Sequence, residues 1–413
     1  MRILLIADNC SIKMGGEAIL AYHYFRLLKK NNRDVKLLVH GRNKAELKEL
    51  FLKYTEDIFY VEDTKLQAWL WKTGSNLPQR VSDVTFYFLI SLLTNIRMKM
   101  KAKELVEKHN IDIIHQPIPV SPKAPSFIYN LGSPVIIGPM NGGMEFPEAF
   151  KGMVKFAEKI SYRIAKALAN IMNLLIPGKR KSDLLLCANE RTKDALPKAI
   201  NRNQVKILVE NGVDLSLWEK NKSDNHSNSL EFTFIGRLVD WKGVDYLLKA
   251  FKIVAEKTSI KLNIIGDGRE KNSLENKAVN YKIRDKVRFW GFVDQKKIPE
   301  ILKKSRALIL PSLYECGGAV ILEAMALELP VIATKWGGPV DYLDEECGIL
   351  VEPDSKEGFI NGLAEAMRKL ANDEALAKKM GKSGRKKIEE YYDWNKKIEF
   401  IINYYRDVFK KHL

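Results

Sequence analysis

Short, continuous apolar runs alternate with stretches of helical periodicity along almost the whole of this 413-residue chain. A run that is apolar at every position suits a strand covered on both faces, and such strands occur in parallel sheets with helices on both sides. The alternation occurs twice, so the sequence predicts two doubly wound α/β domains. The predicted strands are Ile3–Ala7, Val35–Val39, Ile111–Ile114, Pro134–Ile137, Leu184–Ala188, Glu231–Ile235, Ile260–Ile265, Val287–Phe289, Ala307–Leu310, Val331–Ala333 and Gly348–Val351.

The length suits two domains of ordinary size, each with its own core. Between the two sets of strands lies the polar stretch Glu219–Ser229, which predicts a surface loop at the entry to the second domain. The composition, 46% apolar and 29% charged, is that of a soluble globular protein. Its four scattered cysteines form no CxxC pair and favour a reducing cytoplasm over a disulfide framework or a zinc site.

The sequence suggests no membrane span. The start, Met1 to Asp8, is too short in its apolar part for a signal peptide and reads as a first buried strand. The longest apolar run, Val84 to Leu93, is about half of the roughly 20 residues that a bilayer requires. It is interpreted as part of a buried helix.

The net charge of +17 is concentrated in the first 200 residues, which carry 31 Lys and Arg against 19 Asp and Glu. The segment 151–181 combines an apolar helical stripe with a parallel basic stripe. It predicts either a core-packing helix with a solvated basic face or a helix that meets anionic lipid headgroups. Nucleic acid is not expected, because exposed aromatic residues are not interleaved with the cations. The cations are Lys151, Lys155, Lys159, Arg163, Lys166, Lys179, Arg180 and Lys181, and the apolar positions are Val154, Ala157, Ile160, Ile164, Leu168, Ile171 and Leu175.

Two carboxylates eight residues apart mark the junction after the strand Ala307–Leu310. Glu315 falls in the loop and Glu323 falls inside the helical pattern that follows. Gly317 and Gly318 stand where that helix begins, so backbone amides and the positive end of the helix dipole are open to an anion. An acid that can accept sugar hydroxyls, an anion site and a second acid together suit a sugar nucleotide.

A second loop supplies cations. Gly236 and Arg237 follow the strand Glu231–Ile235, and Lys242 follows them after a short polar turn. A closely approached glycine with two cations in one loop is what a diphosphate requires, because the same charges stabilise it as it leaves.

These motifs resemble those of the retaining glycosyltransferases of family 4, which have an E-x7-E motif and the two-domain GT-B fold. The Gly236–Gly243 loop resembles the family's diphosphate-binding element, and Gly266 and Gly268 resemble its glycine turn after the next strand. The resemblance implies two Rossmann-like domains facing a central cleft. They would be an acceptor domain at 1–205, completed by the last helix at 395–413, and a donor domain at 206–394.

The resemblance implies roles for individual residues. Arg237 and Lys242 would hold the diphosphate, Glu315 would orient the sugar hydroxyls and Glu323 would bind the ribose diol. Further donor contacts would come from Gly236, Gly266, Gly268, Phe292, Val293, Cys316, Gly317, Gly318 and Ala319.

The first half departs from most of the family. Where most members have a histidine, this chain has a G-P-x-x-G-G loop from Gly138 to Gly143, typical of a subgroup. On the acceptor or phosphate side we expect Asn141, Gly142 and Gly143, together with the amides of Gly15 and Gly16. His115 follows a strand and is a further candidate. A lone histidine in such a place is more often structural, but it could also face the cleft.

The implied reaction is transfer of a hexosyl unit from a nucleoside diphosphate sugar to a saccharide or lipid-linked saccharide, with retention of the anomeric configuration. No DxD pair stands in a matching position, so neither a metal nor another cofactor is expected. The location implied is the cytoplasm, with possible docking of 151–181 on the inner membrane face. Alternatives are an epimerase or phosphorylase on this fold, or a catalytically silent sugar-nucleotide-binding subunit.

Overall fold

The computed structural model describes residues 1–14, 16–76, 86–153, 156–218 and 230–412, and of residues 156–165 it describes only the backbone. Gly15 and the predicted surface loop Glu219–Ser229 therefore lie outside the described residues. The chain divides into two compact units. The first comprises Met1–Gly143, Ile160–Glu210 and Ile398–Leu413, and the second comprises Met144–Lys159 and Asn211–Lys397.

The first unit is built on a seven-stranded sheet of order β3-β2-β1-β4-β5-β6-β7, in which every paired strand is parallel to its neighbour. Its central strands are buried almost completely, as continuous apolar runs predict. The two edge strands were not predicted, because β3 has only 4 residues and β7 only 3. The strands are β1 (Arg2–Ala7), β2 (Asp34–His40), β3 (Ile58–Val61), β4 (Ile113–Gln116), β5 (Val135–Met140), β6 (Leu184–Cys187) and β7 (Val205–Ile207).

The second unit has a six-stranded parallel sheet of order β10-β9-β8-β11-β12-β13. All six of its strands were predicted. The order reverses between β8 and β11, and ligands of doubly wound sheets bind at such a reversal, beyond the carboxyl ends of the strands. The strands are β8 (Glu231–Ile235), β9 (Lys261–Ile265), β10 (Val287–Gly291), β11 (Ala307–Leu310), β12 (Val331–Thr334) and β13 (Gly348–Val351). Two doubly wound α/β domains are thus confirmed.

Helices connect successive strands in both units. In the first unit they are α1 (Ala18–Lys30), α2 (Lys44–Leu50), α3 (Lys65–Gly74), α4 (Phe86–His109), α5 (Phe156–Leu175), α6 (Gly178–Lys181) and α7 (Glu190–Asp194). In the second they are α8 (Val244–Ala255), α9 (Lys271–Asn280), α10 (Ile298–Leu302), α11 (Ala319–Ala326), α12 (Pro339–Tyr342), α13 (Lys356–Asn372) and α14 (Glu374–Lys387). The last helix, α15 (Trp394–Lys410), follows a π-helical turn, and its residues from Ile398 onward group with the first unit.

Val84 lies outside the described residues. For the described part of the range up to Leu93, the expectation of a buried helix is wrong in its burial. Residues 86–93 do form the start of α4, but Phe88 and Leu89 are 43% and 44% exposed. The core holds α4 only from its third turn onward, through residues such as Met98 and Leu105. Periodicity could not show this, because the start of α4 is apolar on every face.

Segment 151–181 is not one helix, since α5 ends at Leu175 and the short α6 follows. The core-packing alternative fails at Leu168, Ile171 and Leu175, which are 54%, 53% and 74% exposed. Lys179, expected among the exposed cations, is buried and donates to the carbonyl oxygens of Ser121 and Pro122 at 3.0 and 2.8 Å. Its burial lowers the pKa of its ammonium group to about 7. Among the described residues, no helix is both long and apolar enough to cross a bilayer.

Candidate active site

The predicted donor residues collect at the carboxyl edge of the second sheet. Strands β8 and β11 are adjacent in the sheet, so the loops that follow them emerge side by side at the point where the strand order reverses. The loop after β8 carries Arg237 and Lys242, and the loop after β11 carries Glu315. A separation of more than 70 residues in sequence thus becomes direct contact.

The contact is an ion pair between the Nζ atom of Lys242 and the Oε2 atom of Glu315. Each side chain is 14% exposed, so water screens the pair less than it screens an exposed one. Backbone packing fixes the position of the lysine. Gly243 ends the lysine's turn with φ of +71°, and a Cβ there would lie 2.1 Å from the carbonyl oxygen of Pro311. Only glycine fits both the conformation and the space.

Arg237 lies beside this pair in sequence and is exposed to solvent. The loop that carries it is held to the loop after β9 by the Gly236 amide, which donates to the Ile265 carbonyl at 3.0 Å. A Cβ on Gly266 would lie 1.9 Å from the carbonyl oxygen of Gly236, and one on Gly268 would lie 2.4 Å from that of Leu238. The predicted glycine turn therefore brings two backbone loops into contact and leaves the arginine side chain outside.

The amino end of α11 forms the next part of the site. Gly318 precedes the helix with φ of +83°, and α11 begins at Ala319. The first amides of a helix have no intrahelical acceptor, so those at this end are available to an anion. A neighbouring loop supports the approach, because the amide of Gly338 donates to the Glu315 carbonyl at 2.8 Å. Cys316 and Gly317 form the backbone between these points, and a Cβ on Gly338 would lie 2.4 Å from the carbonyl oxygen of Gly317.

Glu323 lies in the second turn of α11 and is half-buried. Desolvation raises the pKa of its carboxyl group to about 7, and a hydrogen bond from Gln295 to its Oε1 atom at 3.3 Å opposes that shift. A carboxyl group in this position can accept hydroxyl hydrogens when ionised.

The loop after β10 carries the two remaining predicted donor residues. Gly291 ends the strand with φ of +68°, and its carbonyl accepts from the Gly266 amide at 2.8 Å. Phe292 follows with 85% of its surface exposed, and Val293 is half-buried. The backbone of this loop is thus tied to the same edge as the other donor loops.

Sequence reasoning missed a segment that braces the Glu315 loop within the second unit. The ring of Phe146 packs on the ring of Tyr314 with centroids 5.1 Å apart. The indole Nε1 of Trp336 donates to the Glu145 carbonyl at 2.7 Å. A Cβ on Gly337 would lie 2.4 Å from the Met144 Cε. We call Met144–Phe150 the brace. Its aromatic residues directly after a glycine-rich loop were the available signal.

In the first unit, Gly16 has φ of +56° and open space around its Cα. Glu17, next in the chain, accepts a hydrogen bond from the Val120 amide at 2.8 Å and so connects the loops after β1 and β4.

Asn141, predicted on the acceptor side, is held by neighbouring residues of the first unit. Its side chain is 6% exposed, donates to Glu210 Oε1 at 2.5 Å and accepts from Thr192 Oγ1 at 3.3 Å. The Gly142 amide donates to the same threonine hydroxyl at 3.1 Å. Gly143 has φ of +76°, and a Cβ there would lie 2.7 Å from Ala195 Cβ. The glycines thus let the loop pack on α7.

His115 likewise supports the fold. Its ring is fully buried, with Nδ1 2.7 Å from the Tyr405 hydroxyl and Nε2 2.6 Å from the Gly138 carbonyl. The carbonyl can only accept, so Nε2 carries the hydrogen and the tyrosine donates to Nδ1. Burial lowers the pKa of His115 to about 4. With both nitrogens engaged, the imidazole is not placed to meet a substrate.

Among the described residues, no group of three or more His, Cys, Asp or Glu side chains is arranged to hold a metal ion. The arrangement at the donor edge instead offers cations, helix-terminal amides and two carboxyl groups.

Comparisons with known proteins give relatives in both sequence and fold. Residues 218–387 match the family described as "Glycosyl transferases group 1". An uncharacterized glycosyltransferase of Methanocaldococcus jannaschii is 27% identical over 54% of this chain, which spans 59% of that relative. An Escherichia coli UDP-Gal:alpha-D-GlcNAc-diphosphoundecaprenol alpha-1,3-galactosyltransferase is 27% identical over 77% of this chain and 81% of its own length.

The fold comparison covers both units. The crystal structure of Anabaena HepE in complex with UDP superposes with a TM-score of 0.67 at 16% identity, over 98% of this chain and all of that one. The family match thus lies within the second unit, and the fold of the chain is that of GT-B glycosyltransferases.

Proposed function

We propose that this protein is a retaining glycosyltransferase that moves a hexosyl unit from a nucleoside diphosphate sugar to an acceptor hydroxyl. The observation that carries the proposal is the convergence of Lys242, Glu315 and the amino end of α11 at the point where the strand order of the second sheet reverses. One cation and one set of amides suit a diphosphate, and the adjacent carboxylate suits sugar hydroxyls.

The chemical demand is a diphosphate that leaves with its electron pair while the sugar acquires positive charge at C1. Arg237, Lys242 and the α11 amides stabilise the departing negative charge. Glu315 accepts hydrogen bonds from the sugar hydroxyls and fixes the orientation of the ring. Glu323 accepts the ribose hydroxyls, one turn farther into α11.

The bond changes balance without a protein base. The bond between C1 and the diphosphate oxygen breaks, and the acceptor oxygen forms a bond to C1 on the same face. The acceptor proton passes to the departing diphosphate. This route accounts for a site in which His115 and Asn141 are both committed to the fold.

For the acceptor we propose a lipid-linked saccharide used in surface polysaccharide or glycolipid synthesis. The E. coli relative is named for action on such a lipid diphosphate. In this chain, the exposed Leu168, Ile171 and Leu175 of α5 favour peripheral docking on the inner face of the cytoplasmic membrane. Lys159 and Arg163 of α5 would meet anionic headgroups together with Lys155, which lies outside the described residues.

Release of nucleoside diphosphate tests the reaction. UDP-, GDP- and ADP-sugars are first ranked by the rise in thermal midpoint that each produces. The stabilising donor is then assayed with and without extracted lipid-linked saccharides, with Lys242→Ala as the inactive control. Acceptor-dependent release and a product of unchanged anomeric configuration are expected. Conversion of the sugar without an acceptor would indicate an epimerase, and binding without turnover would indicate a silent subunit.

A further inference from the structure

Helix α4 leaves its first two turns outside the core of the first unit. The stretch Phe86–Leu93 reads FYFLISLL, and all of its side chains are exposed or half-buried. The same helix is anchored later by Met98, Ala102 and Leu105, each at most 1% exposed. Although Tyr87 packs on Trp71 of α3, an apolar helix start as exposed as this one is unusual for a soluble domain.

The exposed apolar surface continues along the outer side of α4. Leu89, Ile96 and Met100 are spaced at seven and four residues and are 44%, 41% and 68% exposed. Residues at these spacings share one side of a helix. The inner side faces α3, where the Gln67 Nε2 donates to the Thr94 Oγ1 at 2.8 Å. The outer apolar stripe is therefore a second one, additional to that used for folding.

Helix α3 carries exposed aromatic rings on the other side of the α4 start. Tyr87 lies seven residues before Thr94 and so shares its α3-facing side. Trp69 and Trp71 are 58% and 59% exposed, and the Trp71 ring packs on Tyr87 of α4 with centroids 4.9 Å apart. Exposed tryptophan is costly in water, but it is favoured at a membrane–water interface, where its ring is apolar and its N–H can reach water or headgroups. We call Trp69, Trp71, Phe88, Leu89, Ile96 and Met100 the hairpin face.

Charge along α4 changes abruptly at the end of the apolar stretch. No charged residue occurs from Phe86 to Ile96, and four cations then follow before the first acid. These cations are Arg97, Lys99, Lys101 and Lys103. The apolar part is about 16 Å long at 1.5 Å per residue, roughly half of a bilayer core. It is long enough to enter one leaflet and too short to cross two.

We infer that the hairpin face is a membrane-insertion surface, with an anionic bilayer as its partner. The apolar start of α4 and the tryptophans of α3 enter the boundary between headgroups and acyl chains, and the cations of α4 contact anionic headgroups. A second copy of this chain is the alternative occupant, and the test below distinguishes it from a bilayer. This inference adds a second membrane contact to the one proposed for α5. It rests on the proposed function only for which membrane is meant.

The test replaces part of the hairpin face without changing charge. The variant is Phe88→Gln/Leu89→Gln/Ile96→Gln. The matched control in the second unit is Leu217→Gln/Ile253→Gln/Val279→Gln, whose positions are 62%, 36% and 56% exposed. Sedimentation with vesicles of phosphatidylglycerol and phosphatidylcholine measures partitioning. We expect the hairpin variant to bind at least about tenfold more weakly and the control to bind like wild type. Trp fluorescence should shift to the blue for wild type only with the anionic vesicles.

Other results would overturn the inference. The inference is wrong if the hairpin variant binds vesicles as well as wild type does. It is also wrong if wild type fails to bind them. A wild-type dimer in sedimentation equilibrium that the hairpin variant dissociates would make the face a contact between copies. Nucleotide-sugar binding and thermal midpoints are measured on every variant. Loss of vesicle binding with donor binding intact separates this inference from the proposed reaction.

Discussion

The ammonium group of Lys242 contacts the carboxylate of Glu315, joining the loops that follow β8 and β11. Both groups are assigned to the donor, one to its diphosphate and one to its sugar. In the ligand-free protein each therefore neutralises the other. A donor that enters must place its charged and polar groups between or beside the side chains of Lys242 and Glu315. The same two side chains would therefore form the ion pair without ligand and contact the donor during transfer.

Substitution of these residues should affect turnover far more than folding. Arg237→Ala, Lys242→Ala and Glu315→Ala are each expected to lower the transfer rate roughly 100- to 1,000-fold, or about 2.7–4 kcal/mol, because each removes a contact to developing charge. The unfolding free energy should fall by only about 1 kcal/mol for the exposed Arg237. It should fall by more for Lys242 or Glu315, because each leaves a largely buried partner unpaired. Transfer assays and urea unfolding measure the two effects. Near-wild-type transfer by Arg237→Ala or Lys242→Ala would remove the diphosphate assignment.

The ion pair also predicts non-additive stability. If Lys242 and Glu315 interact mainly with each other, the double alanine variant should unfold at nearly the same urea concentration as the less stable single variant. Arg237, which lies outside the pair, is the control, because its substitution should add independently to either. Additive losses in the double variant would mean that the two side chains are held by other neighbours.

Glu323 predicts a pH dependence of opposite sign for stability and for binding. Burial raises its pKa from 4.5 to about 7, so between these values the native state binds more protons than the unfolded state. Stability should therefore decrease as pH rises from about 4.5 to about 7. Nucleotide binding should tighten as pH rises through 7, because the carboxylate accepts the ribose hydroxyls better than the acid does.

Glu323→Gln should flatten both profiles, as measured by urea unfolding and by titration with the free nucleotide. Glu323→Ala should weaken binding of the free nucleotide and leave the sugar contact of Glu315 in place. Unchanged affinity for the nucleotide in Glu323→Ala would discard the ribose assignment.

The places of the donor-site candidates in the fold were largely predictable from sequence because each fragment is local. Gly236 and Arg237 directly follow one strand, and Glu315 and Gly318 directly follow another, so each fragment carried its own pattern. The sequence could not show which residues far apart in the chain contact each other. The Lys242–Glu315 ion pair and the contact of Trp336 with Glu145 join residues 73 and 191 positions apart.

The roles of polar residues in the first unit were harder to predict, because the same position can serve either a ligand or the fold. Asn141 and His115 stand after buried strands, where either a ligand or a neighbouring loop can engage them. The structure supplies the neighbours Glu210 and Tyr405, which are far away in sequence. Burial of α4 was misjudged for a related reason: an apolar run shows that a surface is hydrophobic, but not that the fold covers it.

The brace predicts that Trp336 controls the Glu315 loop. Trp336→Phe keeps the ring but removes the hydrogen bond to the Glu145 carbonyl, and Trp336→Ala removes both. Donor affinity should fall in the order wild type, Phe variant, Ala variant, with the largest step roughly tenfold. Phe146→Ala should behave like Trp336→Ala, since it exposes the Tyr314 ring. Isothermal titration with the donor measures this, and equal affinities would show that the brace does not position the site.

Glycines at the donor edge predict a graded response to an added methyl group. Gly243→Ala places a Cβ 2.1 Å from the Pro311 carbonyl oxygen at φ of +71°, so a loss of more than about 1 kcal/mol is expected. Gly152→Ala is the matched control, because its Cβ meets nothing within 4 Å and its backbone is not left-handed. Thermal unfolding of the two variants should differ clearly. Equal midpoints would mean that the Lys242 turn can move away without cost.

His115 predicts a loss of stability in acid that does not involve catalysis. Burial lowers its pKa from 6.5 to about 4, so the native state holds the ring neutral while the unfolded state gains a proton below 6.5. The contribution to stability is full above pH 6.5 and decreases as pH falls toward 4. His115→Gln can keep one hydrogen bond but cannot titrate, so the difference between its pH–stability curve and that of wild type should change only in this window. The transfer rate at neutral pH should remain close to that of wild type. A variant that folds with an unchanged thermal midpoint but has lost most of its transfer rate would return His115 to the acceptor site.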